Sequence, residues 1–537
     1  HVMGQHRVFD DLGDIIDAYL GLPEGPAPVK HWVRCSEVEA VEGADAELVH
    51  RARSDINLQL GRYATAILVT GEQTRVVLAV HHLLIDAVSW LVLMRQLGTT
   101  WAAMAAQEPL PFYTAPSMRR YAARLHEQII IDRSMAEKPF WLMQSGSHSE
   151  LPWRQSDVKS DRLRVEHVFA DSEVSFLTRD GHLRFETRGE ELVLAATVNA
   201  LAVINSSTEV VLQIESNGRA NAYLDADYAD SIGWMTSAFP LRFSELVPEG
   251  NDPIKLIERI KDTVRRVPEQ GVGYGVLRYL ERDLQLVSTP LPRTSFNYLG
   301  RVAQVEAGPF HLLDLNQETE MAYRIGLASE CEIEAWVSDR GLHVLCSVPE
   351  HEAGRLFAGQ FIDALKNQVT QLTSHTKGEA HDVLAPVDFV ASHWSLDAYH
   401  SMLAQSDYDR RCIDQMYPLT PLQEGLLFHA RRFPNDHTYV EQVDFCLTGI
   451  SSDRLREGFR ALTPQFTMLR AGFVSQSGYS AAVILDDAAI PITEVDISEY
   501  DVETRDRTIN EICSKEQQNG FDLANPPLMR VPLLTCA

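Results

Sequence analysis

The stretch His81-His-Leu-Leu-Ile-Asp-Ala-Val-Ser-Trp90 lies between two different hydrophobic patterns. Before it, the apolar runs Ala64 to Val69 and Arg75 to Val80 flank the polar turn Thr70-Gly-Glu-Gln-Thr74, which predicts a hairpin of two strands. After it, apolar residues recur every three or four positions from Trp90 to Met104, which predicts a helix with one buried face. The histidine pair is therefore expected between the end of a strand and the start of a helix.

Three roles for the histidine pair are open on the residues alone. A metal site could combine the histidines with Asp86, but adjacent residues leaving a strand point to opposite sides, so one site would rarely use both. Alternatively, one histidine is packed and the other is solvated. The third role is a catalytic imidazole oriented by Asp86, because an ordinary pKa of about 6.5 suits proton transfer at neutral pH.

A second titratable group stands at the end of the β-branched run Glu209 to Ile214. Glu215 follows this predicted strand directly and precedes the turn signal Asn217-Gly218. A carboxylate in such a position is usually solvated, so Glu215 alone indicates little. The loop Gly271-Val-Gly-Tyr-Gly275 does not have the glycine spacing of a dinucleotide site and follows a predicted helix, which argues against nucleotide binding.

Composition limits the classes of protein that remain. The chain has 537 residues, enough for three or four units of about 150 residues, and its 45% apolar content suits packed cores. A net charge of -27 disfavours nucleic acid and anionic membranes as partners. With no apolar run of about 20 residues and no secretory signal, we expect a cytoplasmic protein. Seven scattered cysteines without a Cys-x-x-Cys pair argue against a disulfide frame or a zinc site.

One sequence pattern occurs twice. Ile56-Asn-Leu-Gln-Leu near the start corresponds to Phe521-Asp-Leu-Ala-Asn near the end, at an offset of 521 − 56 = 465 residues. If both belong to homologous domains, the histidine pair would recur near residue 547, beyond residue 537. By the same offset, about 50 residues that open the second domain at Tyr417 have no counterpart in the first. Thr420, Pro421 and Gln423 form a helix start with a capping box, so a new domain is predicted there.

Together these motifs resemble the epimerization domain of nonribosomal peptide synthetases, a branch of the condensation-domain superfamily. Residues 81–90 fit the family pattern HHxxxDxxSW, whose Ser-Trp ending distinguishes epimerization domains from the HHxxxDG of condensation domains. Four further motifs occur in family order: Glu215-Ser-Asn-Gly-Arg219 for EGHGR, Ile232-Gly-Trp-Met-Thr-Ser-Ala-Phe-Pro240 for VGWFTxxYP, Gly271-Val-Gly-Tyr-Gly-Val-Leu-Arg278 for GxGYGxLR and Phe296-Asn-Tyr-Leu-Gly300 for FNYLG. The segment from Tyr417 resembles the YPLTPxQxGxLFH opening of a condensation domain that follows an epimerization domain.

The resemblance implies an α/β fold like that of chloramphenicol acetyltransferase, a two-lobed pseudodimer of mixed sheets and helices, followed by a partial second copy. We accordingly predict an epimerization domain at 1–372, with an N-lobe at 1–175 that lacks its opening segment and a C-lobe at 176–372. A linker at 373–415 and the truncated N-terminal lobe of a condensation domain at 416–537 follow.

The resemblance also implies an activity, the inversion of Cα from L to D in an aminoacyl or peptidyl thioester. The substrate would be carried on the phosphopantetheine of an upstream peptidyl carrier protein outside this chain, with a condensation domain downstream in the same polypeptide. Neither a metal nor a directly bound cofactor is implied. The alternatives are peptide-bond-forming condensation and an inactive docking or scaffold fragment.

By the same resemblance, His82 and Glu215 are the expected catalytic pair, each an acid, a base or, for His82, an enolate stabiliser. The expected supporting and orienting residues are His81, Asp86, Ser89, Arg219, Asn297 and Tyr298, and the expected channel-lining residues are Trp90, Trp234 and Tyr274. The sequence departs from the family at Asn217, where histidine is usual, and at Ala220, where an acid is common. These two departures leave the predicted pair in place.

Overall fold

The computed structural model describes residues 33–536 except 40–44, 71–74, 112, 147–150, 154–161, 248–251, 302–328, 375–383, 391–392, 407, 435, 437, 450 and 477. Its contacts divide the chain into two compact units. The first unit takes the described residues before 179, those of 192–251 and those of 267–373. The second takes 179–191, 252–266 and the described residues from 374 on. Each unit is therefore assembled from separate stretches of sequence.

The first unit begins with a small three-stranded sheet. Its strands and the helix between the first two are β1 (Val33–Glu39), α1 (Asp45–Ser54), β2 (Ala64–Thr70) and β3 (Arg75–Val80). β1 lies parallel to β2, and β2 pairs antiparallel with β3. Ile67 and Val69 of β2 pack against Ala52 of α1, because alternate residues of a strand share one face. The predicted strands are confirmed, and their connecting turn 71–74 lies outside the described residues.

Three helices follow: α2 (Ala87–Ala106), α3 (Met118–Leu125) and α4 (Gln128–Gln144). The helix predicted after the histidine pair is confirmed as α2. Its predicted buried face is only partly correct. The buried residues of α2 are Ser89, Val92 and Gly98, whereas Trp101 and Met104 are 50% and 59% exposed. The N-terminal part of α2 is therefore the packed part, because small side chains there allow neighbouring elements to approach closely.

A six-stranded mixed sheet forms the rest of the first unit's framework. Its strands are β4 (Arg162–Phe169), β5 (Val210–Ser216), β6 (Ser237–Phe243), β7 (Thr294–Arg301), β8 (Cys331–Ser338) and β9 (Gly341–Pro349). They lie in the order β4-β9-β8-β7-β5-β6, with β5, β7 and β8 mutually parallel. Burial alternates strictly along β8, so Ile333 faces the core while Glu332 and Glu334 share the opposite, partly exposed face. The strand predicted at Glu209 to Ile214 is confirmed as β5.

Helices lie between and after these strands in the sequence, and those within 179–191 and 252–266 belong to the second unit. They are α5 (Asp171–Ser175), α6 (Gly181–Phe185), α7 (Glu191–Asn205), α8 (Pro253–Arg265), α9 (Val272–Gly275), α10 (Leu284–Ser288) and α11 (Glu352–Ser374), with π-helical turns at Phe176–Asp180 and Val276–Leu280. The buried Asn199 side chain of α7 donates to Gln368 of α11 over 2.6 Å, which fixes the two helices to each other.

The second unit continues with helices and strands of its own. They are α12 (Leu396–Gln405), β10 (Ile413–Pro418), α13 (Pro421–Arg432), α14 (Ser452–Leu462), β11 (Ala471–Gln476), β12 (Tyr479–Leu485), β13 (Ile492–Asp496), α15 (Val502–Asn519) and β14 (Val531–Thr535). The predicted capping box starts α13: Thr420 Oγ1 accepts from the Gln423 N–H, and Gln423 Oε1 accepts from the Thr420 N–H. The described part of the predicted linker is folded, since Trp394 and Tyr399 are fully buried in a cluster with Val483.

The repeat seen in the sequence corresponds to one supersecondary unit present twice. In the first unit β1 and β2 are parallel and joined through α1, and in the second unit β13 and β14 are parallel and joined through α15. The offset of 465 moves Ala64, the first residue of β2, to 529, two residues before β14 begins at Val531. The predicted partial second copy is therefore present as a strand, helix and parallel strand.

Candidate active site

The site is organised around Asp86, which ends the connection from β3 and begins α2. Its carboxylate caps the helix by accepting from the Ser89 N–H at 2.9 Å, and it also accepts from the Ser89 hydroxyl at 2.7 Å. Asp86 is only 3% exposed. A buried carboxylate needs further donors, and these come from residues more than 130 positions later.

Arg219 supplies the main partner of Asp86. Its two terminal nitrogens reach the two carboxylate oxygens at 2.8 Å each, a bidentate ion pair with both side chains buried. Burial by itself would raise the pKa of Asp86, but the hydrogen bonds from Arg219 and Ser89 lower it below its ordinary value. Asp86 is therefore held as a charged anchor and is a poor proton carrier.

The same anchor fixes the backbone of residues 231–236, which we call the clamp segment. The Ser89 hydroxyl, whose one hydrogen is directed at Asp86, accepts from the Gly233 N–H at 3.1 Å and lies 3.0 Å from the Gly233 carbonyl oxygen. The Met235 N–H donates to Asp86 at 3.1 Å. The serine of the HHxxxDxxSW pattern thus has a physical task here, because its hydroxyl ties α2 to a segment that carries Trp234.

His82 lies against that segment. Its ring is 4.9 Å from the Trp234 ring, centroid to centroid, and its buried Nδ1 has no hydrogen-bond partner among the described residues. His81 has a different position, since its Nδ1 accepts from the Leu83 N–H at 3.2 Å and caps a short helical turn. Burial, and then the neighbouring His82, lower the pKa of His81. The two histidines therefore divide into one that caps the backbone and one that packs on Trp234.

Glu215 is the last but one residue of β5 and is also brought toward the clamp segment. The antiparallel register pairs it with Ala238, two residues beyond that segment. Asn297 of the neighbouring strand β7 donates to Glu215 Oε2 at 2.8 Å. Burial, followed by the charges of Glu334 and Glu332, raises the pKa of Glu215 from 4.5 to about 7. Glu215 is therefore able to hold or release a proton near neutral pH.

Sequence reasoning missed two features near Glu215. The acids Glu332 and Glu334 of β8 face the same side of the sheet, and the alternation Glu332-Ile-Glu334 was the available signal in the sequence. Gln270 was the other: its backbone is left-handed, with φ of 53°, its carbonyl accepts from the Ser237 hydroxyl at 2.6 Å, and its side chain reaches the Ser216 hydroxyl at 3.4 Å. Nothing in the sequence signals that unusual backbone.

The remaining predicted site residues have mixed surroundings. Trp90, Trp234 and Tyr298 are partly exposed. Tyr274 is 2% exposed and packs with Trp141 and Phe239 in a hydrophobic cluster, which favours a packing role. The channel-lining role predicted for the aromatic residues stays a prediction.

The two departures from the family pattern are accommodated locally. Asn217 Oδ1 accepts from the Arg219 N–H at 2.9 Å, so the asparagine closes the turn that presents Arg219. Ala220 lines an open groove of about 580 Å³ together with Ala222 and Glu269.

Across the residues that the structure describes, no three His, Cys, Asp or Glu side chains gather closely enough to hold a metal ion. No described helix has both the length and the apolar character to span a bilayer.

Comparison with known proteins assigns the chain to a family. The condensation-domain family matches residues 27–390 and again residues 413–537. Because these two matches cover most of the chain, the protein belongs to the condensation-domain family. The second match also agrees with the partial second copy of the fold.

Relatives and solved structures agree with this assignment. The chain is 25% identical over 473 residues to bacitracin synthase 1 of Bacillus licheniformis, covering 86% of the chain and 9% of that protein. It is 25% identical over 501 residues to bacitracin synthase 3 of the same organism, covering 91% of the chain and 8% of that protein. The chain thus spans less than a tenth of either relative.

The fold agrees with that of an epimerization domain from the third module of tyrocidine synthetase B. The TM-score is 0.57 at 22% identity, covering 64% of this chain and 80% of that one. The condensation domain of the Monacolin K polyketide synthase MokA aligns with a TM-score of 0.50 at 16% identity, covering 65% of this chain and 80% of that one. These likenesses confirm the predicted α/β, chloramphenicol-acetyltransferase-like fold class.

Proposed function

We propose that the first unit inverts the Cα of an aminoacyl or peptidyl thioester in nonribosomal peptide synthesis. The observation that carries the proposal is Glu215, a partly exposed carboxyl group with a pKa of about 7 that accepts a hydrogen bond from Asn297. Inversion requires that a proton leave one face of a carbon and that a proton return to the other. A group that is half protonated near neutral pH can serve in either direction.

His82 is the second proton-handling group in this proposal. His82 packs on Trp234, and Glu215 pairs across the sheet with Ala238. Trp234 and Ala238 are only four residues apart in the chain, so both candidate residues lie beside the same short stretch of backbone. We therefore assign His82 as the enolate stabiliser or the second acid/base, opposite Glu215.

Asn297 was predicted as a supporting and orienting residue. In the proposal its amide orients the Glu215 carboxylate, to which it donates one N–H, and its second N–H serves as a donor to the enolate oxygen. Asp86, Ser89 and Arg219 act at one remove, since they fix α2 and the clamp segment. Replacing any of these three residues would impair the site indirectly, because α2 and the clamp segment would no longer be held in position.

The substrate would arrive on the phosphopantetheine of a carrier protein, and a condensation domain would use the product. These partners rest on the family membership and on the motif pattern. No metal or diffusible cofactor takes part in the proposed steps, because the thioester makes the Cα proton acidic enough for paired side chains. A second candidate is condensation itself, favoured by the description of the matching family. The hydrogen bond from the Gly233 N–H to the Ser89 hydroxyl, which needs the serine of the epimerization pattern, favours inversion.

Solvent-deuterium exchange tests the proposal. A purified protein containing this chain is given an L-aminoacyl carrier protein in D₂O, and deuterium at Cα and D-product are followed by mass spectrometry and chiral analysis. We expect Glu215→Gln and His82→Ala each to lower the rate by about 100-fold or more, while the exposed Glu281→Gln control keeps the wild-type rate. Wild-type exchange by Glu215→Gln would refute the role of Glu215. Dipeptide formation without exchange would instead identify a condensation activity.

A further inference from the structure

Glu215 lies at the tip of β5, where backbone pairing holds the strand on one side only. On the β7 side the parallel pairing ends with Ile214 and Phe296, one residue before Glu215. On the β6 side the antiparallel pairing continues to its last pair, Ser216 with Ser237. Strand ends open more readily than strand centres. The position of Glu215 therefore depends on the contacts that fix the end of the β5–β6 pair.

Gln270, in the turn before α9, contacts both members of this last pair. The Ser237 hydroxyl donates to the Gln270 carbonyl at 2.6 Å, which anchors the residue to β6. The Ser216 hydroxyl donates to Gln270 Oε1 at 3.4 Å, so the side chain reaches the tip of β5. One residue thus bridges the two strands directly beside Glu215.

The backbone of this turn is unusual. Glu269, Gln270 and Gly271 are all left-handed, with φ of 46°, 53° and 78°. Such a backbone is uncommon for residues other than glycine, and among the described residues Glu269 and Gln270 are the only adjacent non-glycine pair that has it. An unfavourable backbone persists only where its surroundings hold it, and such positions cluster at functional sites.

Contacts on both sides of Gln270 hold the turn in this conformation. Glu269 Oε2 accepts from the Ala222 N–H at 2.5 Å. Gly271 lies against the Phe239 ring, where an added Cβ would be 1.8 Å from Cδ1. These contacts do not involve the Gln270 side chain, so replacing that side chain should leave the turn in place.

We propose that the Gln270 side chain is a positioning group, which fixes the tip of β5 through Ser216 and thereby the place of the Glu215 carboxyl group. The inference rests on the proposed function and deepens it, since it names a residue that acts on the substrate only through Glu215. Misplacing a reacting group by about 1 Å can cost roughly 100-fold in rate. The left-handed backbone has a function in this proposal, because it directs the carbonyl and the side chain of one residue to two strands.

Gln270→Gly tests the side chain without disturbing the backbone, because glycine adopts the left-handed conformation at no steric cost. We expect this variant to lower kcat for deuterium exchange at Cα about 10-fold, with little change in KM or in the temperature of unfolding. The matched control is Gln107→Gly, since Gln107 is also left-handed, with φ of 57°, and is exposed at the end of α2. Gln107→Gly should keep the wild-type kcat.

Ser216→Ala tests the path from Gln270 to Glu215. If the side chain acts through the Ser216 hydroxyl, Ser216→Ala should also lower kcat, and the double variant should be no slower than the slower single variant. Losses that multiply in the double variant would overturn the inference, and so would a wild-type kcat in Gln270→Gly.

Amide hydrogen exchange supplies a readout that needs no turnover. Gln270→Gly should speed amide exchange at Glu215 and Ser216 several-fold, and Gln107→Gly should leave it unchanged. Unchanged amide exchange at both positions in Gln270→Gly would contradict the inference. If the wild type does not invert the substrate at all, the proposed function fails, and amide exchange still decides whether Gln270 holds the tip of β5.

Discussion

At the scale of single residues, the site contains two carboxyl groups with different properties: Asp86 is held in its charged form, and Glu215 can titrate near neutral pH. Asp86 is buried but receives donors from Arg219 and Ser89, which lower its pKa. Glu215 receives one amide donor, and burial, followed by the charges of Glu334 and Glu332, raises its pKa to about 7. The same chemical group thus has opposite proton affinities in two parts of one site, because donors surround one carboxyl whereas burial and nearby acids act on the other.

The raised pKa of Glu215 has a cost in stability with a definite sign. The carboxyl binds its proton more tightly in the folded state than in the unfolded state, where its pKa is near 4.5. Its favourable contribution is therefore present at low pH, declines from about pH 4.5 and is lost above about pH 7. Glu215→Gln should leave the free energy of unfolding nearly unchanged at pH 4.5 and raise it by about 2 kcal/mol at pH 8, with allowance for solvent screening.

Urea unfolding at the two pH values measures this difference. The exposed Glu281→Gln variant serves as the control and should change little at either pH. A Glu215→Gln effect that is equal at pH 4.5 and pH 8 would show that the carboxyl titrates normally in the folded protein. The proton affinity that the proposed mechanism requires would then be absent.

The sequence predicted part of this residue-level arrangement. The motifs indicated His82, Glu215, Asp86 and Arg219, and the structure brings the last two into one ion pair. The sequence could not indicate Glu334. The two acids of β8 lie near Glu215 because the strands are ordered β5-β7-β8 in the sheet, and no local sequence pattern encodes that order. The assignment of His82 and Glu215 as a catalytic pair remains a prediction.

At the scale of elements, the turn after β5 decides whether the clamp segment can approach. Gly218 has φ of 65°, and a Cβ added there would lie 2.0 Å from the Met235 carbonyl oxygen. Met235 is bonded through its N–H to Asp86, so this backbone has little freedom to move away. Glycine is required here for two reasons, the left-handed backbone and the close contact.

Gly218→Ala should therefore destabilise the protein more than the backbone conformation alone explains. The control is Gly300→Ala, since Gly300 has a similar φ of 72° but no atom of a described residue within 4 Å of an added Cβ. We expect about 1–2 kcal/mol for Gly300→Ala from the left-handed conformation and at least about 2 kcal/mol more for Gly218→Ala from the steric contact. Equal losses in urea unfolding would mean that the turn can relax away from Met235.

Elements with strong periodicity were predicted well, and their burial less well. The α2 helix was placed correctly, yet Trp101 and Met104 of the predicted buried face are exposed in the structure. Hydrophobic periodicity reports which residues share a face, and packing decides how much of that face is covered. At α2 the small residues Ser89 and Gly98 make the close contacts instead.

At the scale of the whole molecule, the two compact units are not consecutive stretches of the chain. Residues 179–191 and 252–266 belong with the residues after 374. In this second unit Lys261 of α8 is fully buried and pairs with Asp388 at 2.8 Å, and Arg265 pairs with both Asp388 and Glu191. Boundaries read along a sequence are contiguous, whereas each of these units is assembled from separate stretches of the chain. The predicted domain limits at 372 and 416 stay a prediction.

Asp388 is the residue on which α8 most depends in this network. Burial lowers the pKa of Lys261 while Asp388 raises it, so without Asp388 the buried ammonium loses the partner that favours its charge. Asp388→Ala should cost about 3–5 kcal/mol, as for other broken buried pairs, and should speed amide hydrogen exchange in Pro253–Arg265. Asp363→Ala, which removes an exposed partner of Lys366, should cost less than about 1 kcal/mol. If amide hydrogen exchange in α8 is unchanged in Asp388→Ala, the apolar contacts of α8 are enough to keep the helix folded. The ion pairs between α8 and Asp388 would then contribute little to stability.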